Sequence, residues 1–199
     1  KGKPYSIQPE IAMDNSLNAM SFNGFDVKPV ADYMESRKTL FENAALHIGV
    51  AAPSESTNYF YKNADADELL FVHKGSGLLE TMYGSLHFGY GDYLVIPRGT
   101  VYKISFNTPE NKLLYIESFD PIFTPRRYRN DFGQLLEHSP FCERDIRRPS
   151  NLQTYDEKDD FDIYIKKKGM IFPYTYANHP FDVVGWDGYN FPWAVSIHN

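Results

Sequence analysis

ELLFVHKGSGLLETMYGSLHFGYGDYLVIPRGTVYKISF, residues 68–106, decides the fold class. Short runs of Leu, Val, Ile, Phe and Tyr alternate with breaks at Lys74-Gly75-Ser76-Gly77, Gly84-Ser85, Gly89-Tyr90-Gly91 and Pro97-Arg98-Gly99. The pattern predicts strands over 68–73, 78–83, 86–88, 92–96 and 101–106, with a further strand over 113–118. Short strands at roughly ten-residue spacing, punctuated by Gly and Pro, build sandwiches or barrels, so the expected class is all-β. Working outward, 44–51 reads as another strand, Pro53-Ser54-Glu55-Ser56 as a loop, and 1–24 as turn-rich chain. A short helix is expected over 32–41, with Asp32, Glu35, Arg37 and Lys38 on its wet side, and another over 132–137. A late hairpin is expected from 161–165 and 170–176, around Lys166-Lys167-Lys168-Gly169. Three divisions result: an arm, short helix and first strands over 1–58, a barrel core over 59–118, and an irregular arm, hairpin and outgoing connection over 119–199.

The 199 residues are 42% hydrophobic and 16% aromatic, enough to bury a substantial core. A formal net charge of −6 argues against a general nucleic-acid binder. No apolar run approaches the ~18 residues of a membrane helix, and the polar start has no signal-peptide pattern. One cysteine, Cys142, excludes an internal disulfide framework and a multi-thiolate zinc cluster, and fits a cytoplasmic setting. The first residue is not Met and the last residues still read as ordered chain, so a piece of a longer protein is expected.

Residues 61–107 resemble the two motifs of cupin barrels, G-x5-H-x-H-x(3,4)-E-x6-G and G-x5-P-x-G-x2-H-x3-N. In that superfamily two His one residue apart on a strand, a Glu and a distant His form a facial site for Fe(II) or Mn(II). Here Glu68 and Gly75 match the end of the first motif, and Gly91, Pro97 and Gly99 match the second. The first-motif His positions fall on Tyr61 and Asn63, the second-motif His on Tyr102 and the closing Asn on Phe106. One carboxylate without imidazoles is no iron site, so Tyr61, Asn63, Glu68 and Tyr102 read as the ligand-equivalent places of a jelly-roll barrel that holds no metal. Tyr102 is expected to hydrogen-bond inside, with Glu68 or Asn63 as partner.

Other groups have two readings each. Strand parity puts Glu68, Leu70 and Val72 on one face and Leu69, Phe71 and His73 on the other. His73 and His87 are then surface histidines, or a pair across a hairpin. Asp65, Asp67 and Glu68 form either a cation site or a solvated acidic turn; Arg126, Arg127 and Arg129 either an anion or phosphate site, or a subunit interface or solvated loop. The Lys166–Lys168 run is an anion patch or a charged hairpin that blocks edge pairing, and Asp156 to Asp160 is an exposed acidic turn. Cys142 carries no evidence of nucleophilic pairing.

More specific runs resemble the bacterial branch of the homogentisate 1,2-dioxygenase family. They are Tyr61-Lys62-Asn63-Ala64-Asp65-Ala66-Asp67-Glu68, Gly91 through Gly99, Arg127-Tyr128-Arg129-Asn130, Gly133 through Pro140, and His179 through Gly188. The resemblance implies a chain equivalent to that family's N-terminal half. It places the iron ligands, two His and one Glu, and the acid–base His in a second cupin half beyond the position of Asn199. For the complete protein it implies Fe(II)-dependent cleavage of an aromatic acid, homogentisate plus O2 to maleylacetoacetate, in tyrosine and phenylalanine breakdown. It also implies trimers pairing into hexamers. The alternatives are a stand-alone cupin that binds a small molecule without catalysis, and a competent relative that recruits iron through Glu68 and a histidine of another subunit.

Overall fold

The computed structural model describes residues 2–7, 20–183 and 190–199. In chain order its strands are β1 (Tyr5–Ser6), β2 (Arg37–Glu42), β3 (Leu46–Ala51), β4 (Phe60–Asn63), β5 (Asp67–Lys74), β6 (Gly77–Thr81) and β7 (Gly84–Phe88). They continue with β8 (Asp92–Ile96), β9 (Val101–Phe106), β10 (Lys112–Ser118), β11 (Ile146–Arg147), β12 (Phe161–Lys167), β13 (Met170–Tyr176) and β14 (Trp193–Ser196). Two seven-stranded sheets result, ordered β1-β13-β12-β4-β9-β6-β7 and β11-β14-β8-β5-β10-β3-β2. The fold is an all-β cupin jelly roll, with two short 3-10 turns as its helical content among the described residues.

The sheets close on one core. From the second sheet come Leu70, Val72, Leu94, Ile96, Leu113 and Tyr115; facing them from the first are Tyr61, Leu79, Leu86, Phe88, Tyr102 and Ile104. The alternating apolar positions of β5 and β10 fix this register, because a one-residue slip would turn every inward side chain out. A second cluster, Phe60, Val101, Ile163 and Phe181, covers the other face of the first sheet. There His179 stacks on Tyr155 with ring centroids 4.1 Å apart, pinning the segment before Phe181.

Most expected strands are present with small shifts. The turn between β6 and β7 falls on Met82 and Tyr83, just ahead of the expected Gly84-Ser85. Both expected helices are absent. Asp32 Oδ1 accepts from the backbone of Met34 and Glu35, a single capped turn after which the chain runs extended as β2 along β3. Sheet pairing outweighs weak helical periodicity there, and Arg37 moves from the expected wet side to the interior. At 132–137 the side chain of Asn130 accepts from Phe132 N and Gln134 N, holding an Asx-type turn, while Phe132 stays exposed with no apolar face to bury.

The late hairpin forms as expected, and β12 lies parallel to β4, which carries the late chain into the first sheet. Its two-residue loop, Lys168 (φ 52) and Gly169 (φ 66), is left-handed at both positions. Asp65 accepts from both loop amides, at 2.6 and 3.0 Å. No helix among the described residues is long and apolar enough to cross a membrane. Lys1, the 8–19 part of the turn-rich start, and Val184 to Gly188 of the family-like run lie outside the described residues.

Candidate functional site

β4, β5 and β9 bring Tyr61, Asn63, Glu68 and Tyr102 into one buried region, none more than 2% exposed. Tyr61 and Tyr102 are cross-strand partners whose rings meet edge to face at 5.3 Å. The Tyr102 hydroxyl donates to Glu68 Oε2 at 2.8 Å. Removing that hydroxyl in Tyr102→Phe is expected to cost about 1–3 kcal/mol in urea unfolding, because a buried charged acceptor loses a donor. Asn63 bridges the cluster and the loop: Nδ2 donates to Glu117 Oε1 at 2.7 Å, and Oδ1 accepts from Asp65 N and Ala66 N.

Glu117 is not among the residues that the motif spacing singles out, yet it organises the region. It sits directly opposite Glu68 in the β5–β10 register, both side chains inward. Like charges facing each other across a ladder are destabilising, so the barrel must supply cations. Arg37 supplies one, with Nη2 2.9 Å from Glu117 Oε2 and Nη1 3.4 Å from Glu68 Oε1. Lys166 supplies the other, 2.5 and 2.6 Å from the two oxygens of Glu117. The guanidinium lies over the Tyr115 ring at 4.1 Å, and Tyr115 in turn shares a 2.7 Å hydrogen bond with Thr39. Two acids and two bases balance in charge. Lys166 is therefore no member of an exposed lysine patch; period-2 alternation sends it inward while Lys167 stays out.

The two carboxyls are tuned oppositely. Burial pushes Glu68 above the ordinary carboxylate value, with Arg37 only partly offsetting it. Burial also opposes ionisation of Glu117, but Arg37, His47 and Lys166 outweigh it and hold that carboxyl well below the ordinary range. A depressed acid contributes stability that is present above its unfolded pKa and lost as pH falls toward the folded one. Glu68 has the opposite sign, and its contribution declines as pH rises from the ordinary range. A Tm series from neutral pH to pH ~3 should therefore show an acid loss in the native chain that is shallower in Glu117→Gln.

The motif glycines have reasons unrelated to a metal. Gly75 (φ +104) and Gly91 (φ +85) lie in left-handed turns, and a Cβ at Gly75 would sit 2.1 Å from Asn111 Oδ1. The remaining candidates disperse. Asp67 accepts from Arg98 N and Ile122 N, and with Asp65 serves loops rather than a cation. His73 packs on Phe25 at 4.1 Å on the outer face, and His87 is exposed. Arg127 and Arg129 lie over Tyr128 and Phe123, and Cys142 is buried. The 156–160 segment is an exposed acidic stretch, as expected.

The donors present do not fit the Fe(II) that cupin dioxygenases imply. Glu68 is the one carboxylate at the four positions, with Arg37 and Tyr102 already on its oxygens. No group of three or more His, Cys, Asp or Glu suited to a metal occurs among the described residues. Recruitment of a histidine from another subunit to Glu68 is blocked by its enclosure, at 1% exposure.

Fold and site together define a cupin with a charge-balanced polar cluster inside. The match to the homogentisate 1,2-dioxygenase N-terminal family model runs over residues 10–197, and the chain belongs to that family. It is 41% identical over 170 residues to SSO1533 of Saccharolobus solfataricus, a presumed dioxygenase, covering 85% of this chain and 44% of that one. Homogentisate 1,2-dioxygenase of Bradyrhizobium diazoefficiens is 27% identical, covering 77% of this chain and 33% of its own length. The Drosophila melanogaster enzyme is 24% identical, over 99% of this chain and 46% of its own. The chain thus spans between a third and just under half the length of these relatives. A cupin-2 domain protein of Shewanella frigidimarina overlays 42% of this chain and 79% of its own at TM-score 0.38 and 22% identity.

Proposed function

We propose that this chain is the N-terminal, metal-free half of a homogentisate 1,2-dioxygenase-like protein and that its role is structural. In this reading Fe(II) and the aromatic acid substrate belong to a C-terminal cupin of the full-length protein. The chain supplies a rigid barrel and the arms that join copies into a homo-oligomer. The observation that carries it is the pair Arg37 and Lys166, which provide inside the barrel the positive charge its carboxylates need. A side-chain cation is covalently tethered, so the fold would not depend on metal supply. Iron analysis tests the proposal. Full-length protein is expected to carry iron and to consume O2 with homogentisate, whereas the 199-residue chain carries none. Stoichiometric iron on the 199-residue chain would overturn it.

A cavity of about 640 Å³ supports a second reading, a small-molecule binding module. Its walls include Tyr5, Tyr59, Tyr115 and Tyr164, together with Glu117 and Lys166. The tyrosines facing it are not Tyr61 and Tyr102, which are packed in the core. A saturable Tm rise with one of a panel of aromatic acids is the expected result in this reading. A flat response across the panel removes it.

A further inference from the structure

Two phenol hydroxyls inside the barrel have no hydrogen-bond partner among the described residues. Tyr33 and Tyr61 are 0% and 1% exposed, and neither hydroxyl meets a donor or acceptor among the described residues. Buried hydroxyls are nearly always paired, so each orphan calls for an account. The two belong to one locality. Tyr61 packs against Tyr102, whose hydroxyl is on Glu68, and Arg37 has its Cζ 5.5 Å from the centre of the Tyr33 ring and its Nη1 on Glu68. Burial raises both phenols, and each feels Arg37, Glu68 and Glu117. Glu68 has spare capacity: Oε2 takes the 2.8 Å bond from Tyr102, while Oε1, among the described residues, receives only the 3.4 Å approach of Arg37.

We propose that this locality is a built site for an ordered water, which accepts from the Tyr33 and Tyr61 hydroxyls and donates to the free side of Glu68. Chemistry selects the guest. An anion would face Glu68 and Glu117, and a metal cation would face Arg37 and Lys166. An apolar guest would leave both hydroxyls orphaned. Water is neutral, donates and accepts, and is held by the two to four polar partners that buried waters require. The inference rests on the metal-free reading of the barrel and gives it content: the ligand-equivalent Tyr61 and Glu68 hold solvent.

The test uses Tyr33→Phe and Tyr61→Phe, together with a high-resolution crystal structure of the chain. If each hydroxyl anchors the water, either substitution lowers Tm, by about 2–4 °C for a domain of this size. If the hydroxyls are unpaired, their removal relieves a burial penalty, so a Tm that is unchanged or raised in both variants overturns the proposal. In the crystal, a peak within hydrogen-bond distance of both hydroxyls and Glu68 is expected, and it should be lost in Tyr61→Phe. No peak there overturns the water site while leaving the metal-free reading standing. A peak with transition-metal anomalous signal overturns both.

Discussion

Glu117→Gln is expected to cost about 3–5 kcal/mol in urea unfolding, a large share of the roughly 5–15 kcal/mol that holds a domain together. The substitution keeps shape and removes charge. Arg37, at 2.9 Å, and both close approaches of Lys166 then face a neutral amide, and Glu68 alone balances two buried cations. The amide also turns an N–H group toward one of the donors it used to satisfy. Glu68→Gln is expected to cost less, because burial already disfavours the Glu68 charge while its neighbours favour that of Glu117. Removing a partner cation restores balance, so Glu117→Gln/Lys166→Met should be more stable than Glu117→Gln alone. If the single variant unfolds at the native urea midpoint, the Glu117 carboxylate does not hold Arg37 and Lys166 in the way their distances indicate.

Which parts of this were readable in advance follows from the range of the forces involved. The strands from β5 to β10 are legible because period-2 apolar alternation and Gly–Pro breaks are local signals; motif spacing also points to an internal hydrogen bond from Tyr102, though it leaves Glu68 and Asn63 both open as the partner, and the structure selects Glu68. Glu117 carries a local signal as well: with Leu113 and Tyr115 inward on β10, parity puts position 117 inward too. Arg37 and Lys166 were hidden for different reasons. Arg37 lay in a segment whose charges look like a helix's wet face until pairing with β3 turns it over. Lys166 was masked by its neighbours in a lysine run, and its partner is 49 residues away. Long-range ion pairs leave no local trace, which is why the strands from β5 to β10 are legible and the cations that balance Glu68 and Glu117 are not.

Leu70→Ala should be nearly as damaging, at about 2–5 kcal/mol, for a reason that couples the apolar core to the charges. Leu70 is fully buried and sits on β5 one inward step from Glu68; its cross-strand partners are Tyr115 and Leu94. On one side of it the interior is aliphatic, with Val72, Leu79 and Leu113; on the other it is ionic. Truncation removes the packing that fixes Tyr115, and Tyr115 is the surface over which Arg37 reaches the two glutamates. Part of the loss should therefore come through the ion pairs. Leu70→Ala and Glu117→Gln together are then expected to cost less than the sum of the two separately, since each already weakens what the other disrupts. Leu79→Ala is the control. Leu79 is equally buried, on β6 of the facing sheet, paired with Leu86 and Ile104, so its cavity cost should add to that of Glu117→Gln within about 0.5 kcal/mol. Strict additivity for Leu70 as well would mean that the ionic cluster holds its geometry without help from the apolar layer beside it.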